Sequence, residues 1–331
     1  MVSAMVMFCS LCFSQTCLNL QTNNCDEIKN TNLPLTDFDL LLLGETHGMA
    51  DNARLQSKFY NYLNAEKGVN NILIEWGRAE AYLINEYLRT GDENFLKWTS
   101  FGYFNWEVEL ASWNFIRENC SKNTKVYGVD FEREPALTAS VYLLLDKSSN
   151  LKEQLNARLD TLKFSSNTNE FKQWLFENIP DEYKNEAIME ILSNESSKSD
   201  FYGRDEKMVN YFNSIKKPDE KYFGRFGTMH TQLDNPQVFA GMLSINHKII
   251  SINIHYQDSW YNEDTKVKYS FLNDRGFFKR KTIRNNIDYA VKLTNCENYL
   301  FKITPSNKYL KKVGLKGQYL IFLRDKKGIN Y

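Results

Sequence analysis

The sequence predicts an α/β fold in which helices flank a central, mainly parallel sheet. Short apolar runs alternate with helix-length segments whose apolar residues recur every three or four positions. Strands separated by helices in this way form βαβ units and a parallel sheet. The strand pattern returns after a long, charge-rich helical stretch, which indicates a helical insertion rather than a second domain.

The individual elements follow from the same patterns. Strands are predicted at 40–43, 71–76, 125–131, 222–226, 248–256, 299–303 and 318–323. Helices are predicted at 53–66, 79–88, 106–119, 151–163, 182–192 and 204–216. The strands of the last hundred residues follow one another closely, which favours an antiparallel part of the sheet there.

The N-terminal part of the chain predicts export. Residues 1–14 are strongly apolar and Asp26 is the first charged residue. Such a run is too short to span a membrane and is typical of a signal peptide, although an apolar strand or helix packed on the domain is the alternative. We therefore expect a mature chain that begins shortly after Ser14, in the periplasm or outside a bacterial-type cell. The predicted units are a leader at 1–15, a connector at 16–37 and a hydrolase-like α/β domain at 38–331, with the insertion at about 136–217.

Composition limits the classes of partner. The 41 basic and 41 acidic residues cancel, which excludes the broad positive surface of a nucleic-acid-binding protein. No other apolar run approaches the length of a membrane span. We expect a small-molecule substrate, and the sequence leaves the oligomeric state open. Beyond the leader, an even number of cysteines is compatible with disulfides of undetermined pairing, while the absence of Cys-x-x-Cys spacing disfavours a structural zinc site. These cysteines are Cys17, Cys25, Cys120 and Cys296.

Carboxylates and imidazoles stand at the ends of four predicted strands. Glu45 and His47 follow the first strand and Glu75 ends the second. Asp130 ends the third strand, and His230 follows the strand at 222–226. Because ligand sites in open α/β sheets form beyond the carboxyl ends of parallel strands, these side chains are predicted to share one site.

Two glycines and an arginine accompany this constellation. Gly44 and Gly227 each stand three positions before a histidine, where a residue without Cβ lets the chain turn sharply and lets a ligand approach. Arg54 is expected two turns into a helix, on the side of the site. There its guanidinium can hold Glu45 or Glu75, or a substrate oxyanion. The alternative is an ordinary surface arginine.

These motifs resemble those of the erythromycin esterase family, over about residues 40–230. The first motif resembles the family's Gly-Glu-x-x-His pattern, here one residue shorter, and it is followed by an arginine and by a strand-end glutamate 28 residues after the histidine. The segment 106–119 resembles the family's helix of Trp, Glu, Arg and Asn. The matching residues are Gly44-Glu45-Thr46-His47-Gly48, Arg54, Glu75, Gly128-Val129-Asp130, Arg204-Asp205 with Met208, and Gly227-Thr228-Met229-His230.

The chain departs from the family pattern in its late strand. The family typically carries two histidines there, and Gly227 stands where the first would fall, leaving His230. Paired Gly-x-x-His motifs with an intervening glutamate also resemble the Tiki/TraB group of metallopeptidases and the haem-binding ChaN-like proteins. These groups form one broad superfamily, so the resemblance implies the fold more directly than the reaction.

The resemblance implies a hydrolase that needs no cofactor. In this interpretation His47 is the general base for a water that attacks an ester carbonyl. Glu75 or Glu45 orients the imidazole and stabilises its cation, and Arg54 or His230 steadies the oxyanion. The substrate-binding residues on this interpretation are Asp130, Trp106 and Arg204.

Two alternatives use the same cleft. In the first, His47, His230 and one or two of Glu45, Glu75 and Asp130 hold a divalent transition metal with an open position for water. In the second, the protein is not an enzyme and binds a ligand such as haem through His47 or His230.

Overall fold

A computed structural model of the chain describes residues 15–17, 26–29, 31, 33–100, 106–145, 150–160, 169–194, 201–257, 259–262, 267–269, 298–302 and 318–324. Residues 1–14, where the leader is predicted, lie outside these ranges. Within them, no helix is both long enough and apolar enough to cross a membrane.

The strands that the structure describes form one large sheet and a small ribbon. The sheet has the order β1-β9-β10-β6-β2-β5-β3-β4, and β7 pairs with β8 in the ribbon. Neighbouring strands from β10 across to β4 are parallel, whereas β9 is antiparallel to both β10 and β1. The predicted mainly parallel sheet, with its antiparallel part near the C-terminus, is confirmed. The strands are β1 Gln15–Cys17, β2 Leu40–Glu45, β3 Asn71–Ile74, β4 Lys125–Gly128, β5 Tyr222–Gly227, β6 Ile249–Gln257, β7 Ser259–Asn262, β8 Val267–Tyr269, β9 Asn298–Lys302 and β10 Tyr319–Arg324.

Helices connect the parallel strands and cover the sheet. Those between β4 and β5 occupy the stretch where the helical insertion is predicted. The α-helices are α1 Asp26–Lys29, α2 Asp51–Lys67, α3 Arg78–Thr90, α4 Trp106–Asn119, α5 Glu134–Leu144, α6 Asn150–Leu159, α7 Asn169–Asn178, α8 Glu186–Ser193, α9 Phe201–Ile215 and α10 Phe239–Leu243. Short 3-10 helices lie at Glu93–Trp98 and Asp181–Tyr183.

The helix predicted at 182–192 is divided in the structure. A 3-10 turn at Asp181–Tyr183 is followed by a separate start of α8, which is capped by Asn185. The side-chain oxygen of Asn185 accepts a hydrogen bond from the backbone N–H of Ile188 at 3.0 Å, so α8 begins at Glu186, four residues after the predicted start.

The leucine run explains why β2 lies near the centre of the sheet. All four side chains from Leu40 to Leu43 are fully buried, as expected for a parallel strand that is covered on both faces. β2 lies between β6 and β5, and Glu45 is directly opposite Gly227 of β5. On the other side of β5, Ile74 of β3 pairs with Arg225. The carboxyl ends of these strands therefore meet at one edge, as predicted.

The structure describes the side chain of one cysteine considered for disulfide formation. Cys120 is a buried thiol whose Sγ lies 3.8 Å from Oδ1 of Asn61. Cys17 lies in β1, and Cys25 and Cys296 lie outside the described residues.

Candidate active site

A histidine and a carboxylate form the exposed part of the candidate site. His47 Nδ1 lies 2.9 Å from Oε1 of Glu45, at the end of β2. The Glu45 side chain is 10% exposed, whereas that of His47 is 64% exposed. Because a carboxylate only accepts hydrogen bonds, Nδ1 is the donor, and the neutral ring keeps a lone pair on Nε2.

Buried polar groups hold the turn that carries His47 in place. Asn52 donates a hydrogen bond to the carbonyl of Thr46 at 2.7 Å. The hydroxyl of Tyr256 donates in turn to Oδ1 of Asn52 at 2.7 Å. Gly48 has φ of +83°, a left-handed conformation that glycine adopts without strain. The loop is therefore held by contacts with α2 and β6.

Gly227 leaves space beside the second nitrogen of His47. A Cβ at this position would lie 3.0 Å from His47 Nε2 and 3.4 Å from Oε2 of Glu75. Any larger residue would crowd the imidazole. The hydrogen bond to Glu45 raises the pKa of His47 above its ordinary value, burial opposes this, and the charges of Glu45 and Glu75 add to it.

Three groups, from Gly227, Arg204 and His230, contact the carboxylate of Glu75. Its Oε2 accepts a hydrogen bond from the backbone N–H of Gly227 at 2.5 Å. Its Oε1 lies 2.7 Å from Nη2 of Arg204 and 3.2 Å from Nε2 of His230. Burial would raise the pKa of Glu75, but the hydrogen bond from His230 and the charges of His230 and Arg204 outweigh burial and lower it far below the ordinary value. Glu75 is therefore a permanent negative charge next to His47.

His230 is buried and contacts both Glu75 and Asp205. Its Nδ1 lies 2.5 Å from Oδ1 of Asp205, and the other oxygen of Asp205 accepts from the backbone N–H of Phe239 at 2.7 Å. Burial would lower the pKa of His230, but its hydrogen bonds to Asp205 and Glu75 raise it to about 9. The ring is thus an imidazolium at neutral pH. Since both nitrogens point at carboxylates, this geometry does not offer the oxyanion contact considered for His230.

Arg204 joins Glu75 to Asp130. Its Nε donates to Oδ1 of Asp130 at 2.7 Å, and its Nη2 donates to the other carboxylate oxygen of Asp130 as well as to Glu75. Asp130 is buried, and burial raises its pKa against the lowering effect of Arg204. In this structure Asp130 and Arg204, two of the three residues considered for substrate binding, hold each other, and Arg204 also holds Glu75.

The structure corrects the placement of Arg54. Because α2 begins at Asp51, Arg54 lies in its first turn, and its Nη1 donates to Asp51 at 2.6 Å rather than to Glu45 or Glu75. The guanidinium near Glu45 is that of Arg225 in β5, with Nε 3.0 Å from Oε2 of Glu45.

Arg225 also binds Glu109, a residue that the sequence reasoning missed. Arg225 Nη2 donates to Oε1 of Glu109 in α4 at 2.6 Å. Burial would lower the pKa of Arg225, but the charges of Glu109 and Glu45 outweigh burial and raise this pKa above its ordinary value. Burial raises the pKa of Glu109, while Arg225 lowers it. The sequence signal for this contact is Arg225, a charged residue within the otherwise apolar strand at 222–226.

Trp106 is the first residue of α4, and its side chain lies outside the described part of the chain.

A cavity of about 570 Å³ adjoins Asp130 and Arg204. Arg78 forms another part of its wall, where its guanidinium lies 4.0 Å from the centre of the Tyr211 ring. The volume is within the usual range for sites that bind small molecules. Other lining residues are Phe131, Asn194, Lys207 and Asn210.

The alternative metal ligands are engaged with one another. His230 Nε2 lies 3.2 Å from Glu75 and its Nδ1 lies 2.5 Å from Asp205, while His47 Nδ1 lies 2.9 Å from Glu45. Among the side chains that the structure describes, no group of three or more His, Cys, Asp or Glu residues has an arrangement that would hold a metal ion.

Together, fold and site define an α/β protein with a mainly parallel sheet, whose carboxyl edge carries an exposed histidine held by a largely buried carboxylate. The sequence matches no protein-family profile and no curated protein. Solved structures do match. A mutant of the erythromycin esterase EreC in its open conformation has a TM-score of 0.61 and 14% identity, over 96% of this chain and 98% of that chain.

Two further solved structures are similar over 96% of both chains. They are a Bacillus cereus protein, with a TM-score of 0.64 and 16% identity, and a succinoglycan biosynthesis protein, with a TM-score of 0.61 and 12% identity. At these identities the likeness is one of fold. The chain therefore has the fold of erythromycin esterase, and the predicted resemblance is confirmed at that level.

Proposed function

We propose that the protein is a hydrolase that uses a histidine-activated water to cleave an ester. The observation that carries this proposal is the His47–Glu45 pair, an exposed imidazole oriented by a largely buried carboxylate. The free nitrogen of such a base has to reach the proton of a water in the cleft. The hydrogen bond at its other nitrogen holds the ring in one tautomer. The shared fold with erythromycin esterase supports an ester as the substrate class.

The proposed reaction proceeds in two proton transfers through His47. Nε2 takes a proton from water as the water oxygen bonds to the ester carbonyl carbon, which gives a tetrahedral intermediate. The imidazolium then returns the proton to the alcohol oxygen as the carbon–oxygen bond breaks. The products are a carboxylic acid and an alcohol, and no serine or cysteine nucleophile takes part.

Two carboxylates stabilise the imidazolium that forms during this reaction. Glu45 accepts the hydrogen bond from Nδ1–H throughout, and Glu75 provides a second negative charge near the ring. Glu75 keeps its position because Gly227, Arg204 and His230 all donate to it. His230 therefore acts through Glu75 in this proposal and does not itself transfer a proton.

Arg54 is the proposed source of positive charge for the oxyanion. Its side chain is 48% exposed and lies in the first turn of α2, the helix that follows the motif of His47. One nitrogen is held by Asp51, and an arginine presents several further donors to a ligand. The cavity beside Asp130 and Arg204 is large enough for a small molecule and adjoins the site through Arg204, which holds Glu75.

Hydrolysis with and without a chelator tests the proposal against both alternatives. Purified protein is assayed on p-nitrophenyl acetate, p-nitrophenyl butyrate and a macrolactone, with its metal content measured beforehand. We expect turnover that is unchanged by EDTA. Stoichiometric metal with EDTA-sensitive turnover would favour a metal-dependent hydrolase. An absence of turnover combined with saturable binding of haemin would favour a ligand-binding protein.

A further inference from the structure

A buried chain of charges ends at Glu45, the carboxylate that contacts His47. It starts at Glu109 in α4, passes through Arg225 in β5 and ends at Glu45 in β2. Nη2 of Arg225 lies 2.6 Å from Oε1 of Glu109, and its Nε lies 3.0 Å from Oε2 of Glu45. The other oxygen of Glu45, Oε1, lies 2.9 Å from Nδ1 of His47. Elements far apart in sequence thus join these four groups in one series of contacts.

We propose that Glu109 is a positioning residue that sets the basicity of His47 through Arg225 and Glu45. The proposal rests on the proposed role of His47 as the base. It assigns a function to a residue that touches neither the water nor the substrate in the mechanism above.

Glu109 affects His47 because two carboxylates share the positive charge of Arg225. Arg225 is positive and lies between two carboxylates, so each carboxylate neutralises part of its charge. With the charge of Glu109 removed, Arg225 is balanced by Glu45 alone and offsets more of the negative potential that Glu45 exerts on His47. The imidazolium is then less stable, and His47 becomes a weaker base.

Burial makes this coupling effective. The side chains of Arg225 and Glu109 are 8% and 5% exposed, so water and salt screen their charges weakly.

The remaining charged groups around the chain stay constant in the test. Glu75, directly after β3, exerts its charge on His47, and Tyr256 of β6 exerts its charge on Arg225 when ionised. Arg204 and His230 fix Glu75, and neither lies between Glu109 and His47.

The test is an NMR titration of the His47 ring in the full chain, in the wild type and in Glu109→Gln. The His47 signal is assigned by its loss in His47→Gln. We expect the pKa of His47 to fall by about 0.5 pH unit or more in Glu109→Gln, since a nearby buried charge is removed. The rising limb of kcat/KM against pH should move by the same amount, with KM unchanged.

A matched control and a second variant make the outcome decisive. Glu132→Gln removes another fully buried carboxylate, one that accepts hydrogen bonds from the backbone of α3 and from Asn194, and it should leave the His47 pKa unchanged. If Glu109→Gln does not fold, Glu109→Asp keeps the charge but withdraws it from Arg225, and it should lower the His47 pKa by a smaller amount.

A folded Glu109→Gln protein with lower stability but an unchanged His47 pKa would overturn the proposal, because the pair would then be structural only. For Glu109→Asp, an unchanged pKa would have the same meaning. The titration does not depend on turnover. Failure of this proposal is therefore distinct from failure of the hydrolase proposal, which shows as an absence of ester cleavage.

Discussion

Replacing His47 by alanine is expected to lower kcat/KM for ester hydrolysis by about 10²–10⁴-fold, the usual contribution of a positioned general base. The variant should fold normally, because the His47 side chain is 64% exposed and its partner Glu45 keeps the ion pair with Arg225. Circular dichroism and thermal unfolding check the fold, and initial rates over a range of substrate concentrations check the activity.

His247→Ala is the matched control for this substitution. His247 is a partly exposed histidine whose Nε2 lies 2.9 Å from Oδ1 of Asn213, away from the site. Its loss should leave kcat/KM within about twofold of the wild type, as is usual for a residue remote from the reacting groups. Activity retained in His47→Ala would show that another group is the base.

Replacing Glu75 by glutamine is expected to reduce both activity and stability. The neutral side chain leaves Arg204 and His230 without their shared carboxylate and removes a negative charge from beside His47. Breaking a buried ion pair from one side costs about 3–5 kcal/mol. We expect a fall of the melting temperature by several degrees and a loss of kcat/KM of about 10²-fold or more.

Glu86→Gln provides the comparison for Glu75→Gln. Glu86 pairs with Arg89 on the outer face of α3, where an exposed ion pair contributes at most about 1 kcal/mol. Its variant should be close to the wild type in both measurements. A Glu75→Gln protein that keeps full activity would contradict the proposed stabilisation of the imidazolium.

The fold was accessible from the sequence because its signals are local. The leucine run of β2 and the glycine that follows it predict a buried strand and its end. The helix at Trp106–Asn119 has the predicted bounds. The order of the strands in the sheet depends on contacts between distant segments and was not predicted.

The convergence of the site was predictable for a similar reason, since strand ends in a parallel sheet share one edge. Pairing within the site was not predictable. The arginine beside Glu45 is Arg225 rather than Arg54, because α2 begins at Asp51 and Arg225 points from a neighbouring strand. Glu109 gave no signal, since an acidic residue in the first turn of a helix is ordinary.

The burial of His230 also required the structure. Sequence placed it at a strand end, where an exposed catalytic role and a supporting role look alike. Only the contacts with Asp205 and Glu75 distinguish them.

The pH dependence of kcat/KM, measured with EDTA present and compared with the NMR pKa of His47, tests the central claim most directly. The base acts in its neutral form, and its pKa is raised above the ordinary value of 6.5 by Glu45. Activity should therefore be lost as the pH falls through that raised pKa and be complete above it. We expect the kinetic and NMR values to coincide. A pH profile that is flat through the NMR pKa of His47, or a rising limb with a different pKa, would contradict the assignment of His47 as the base.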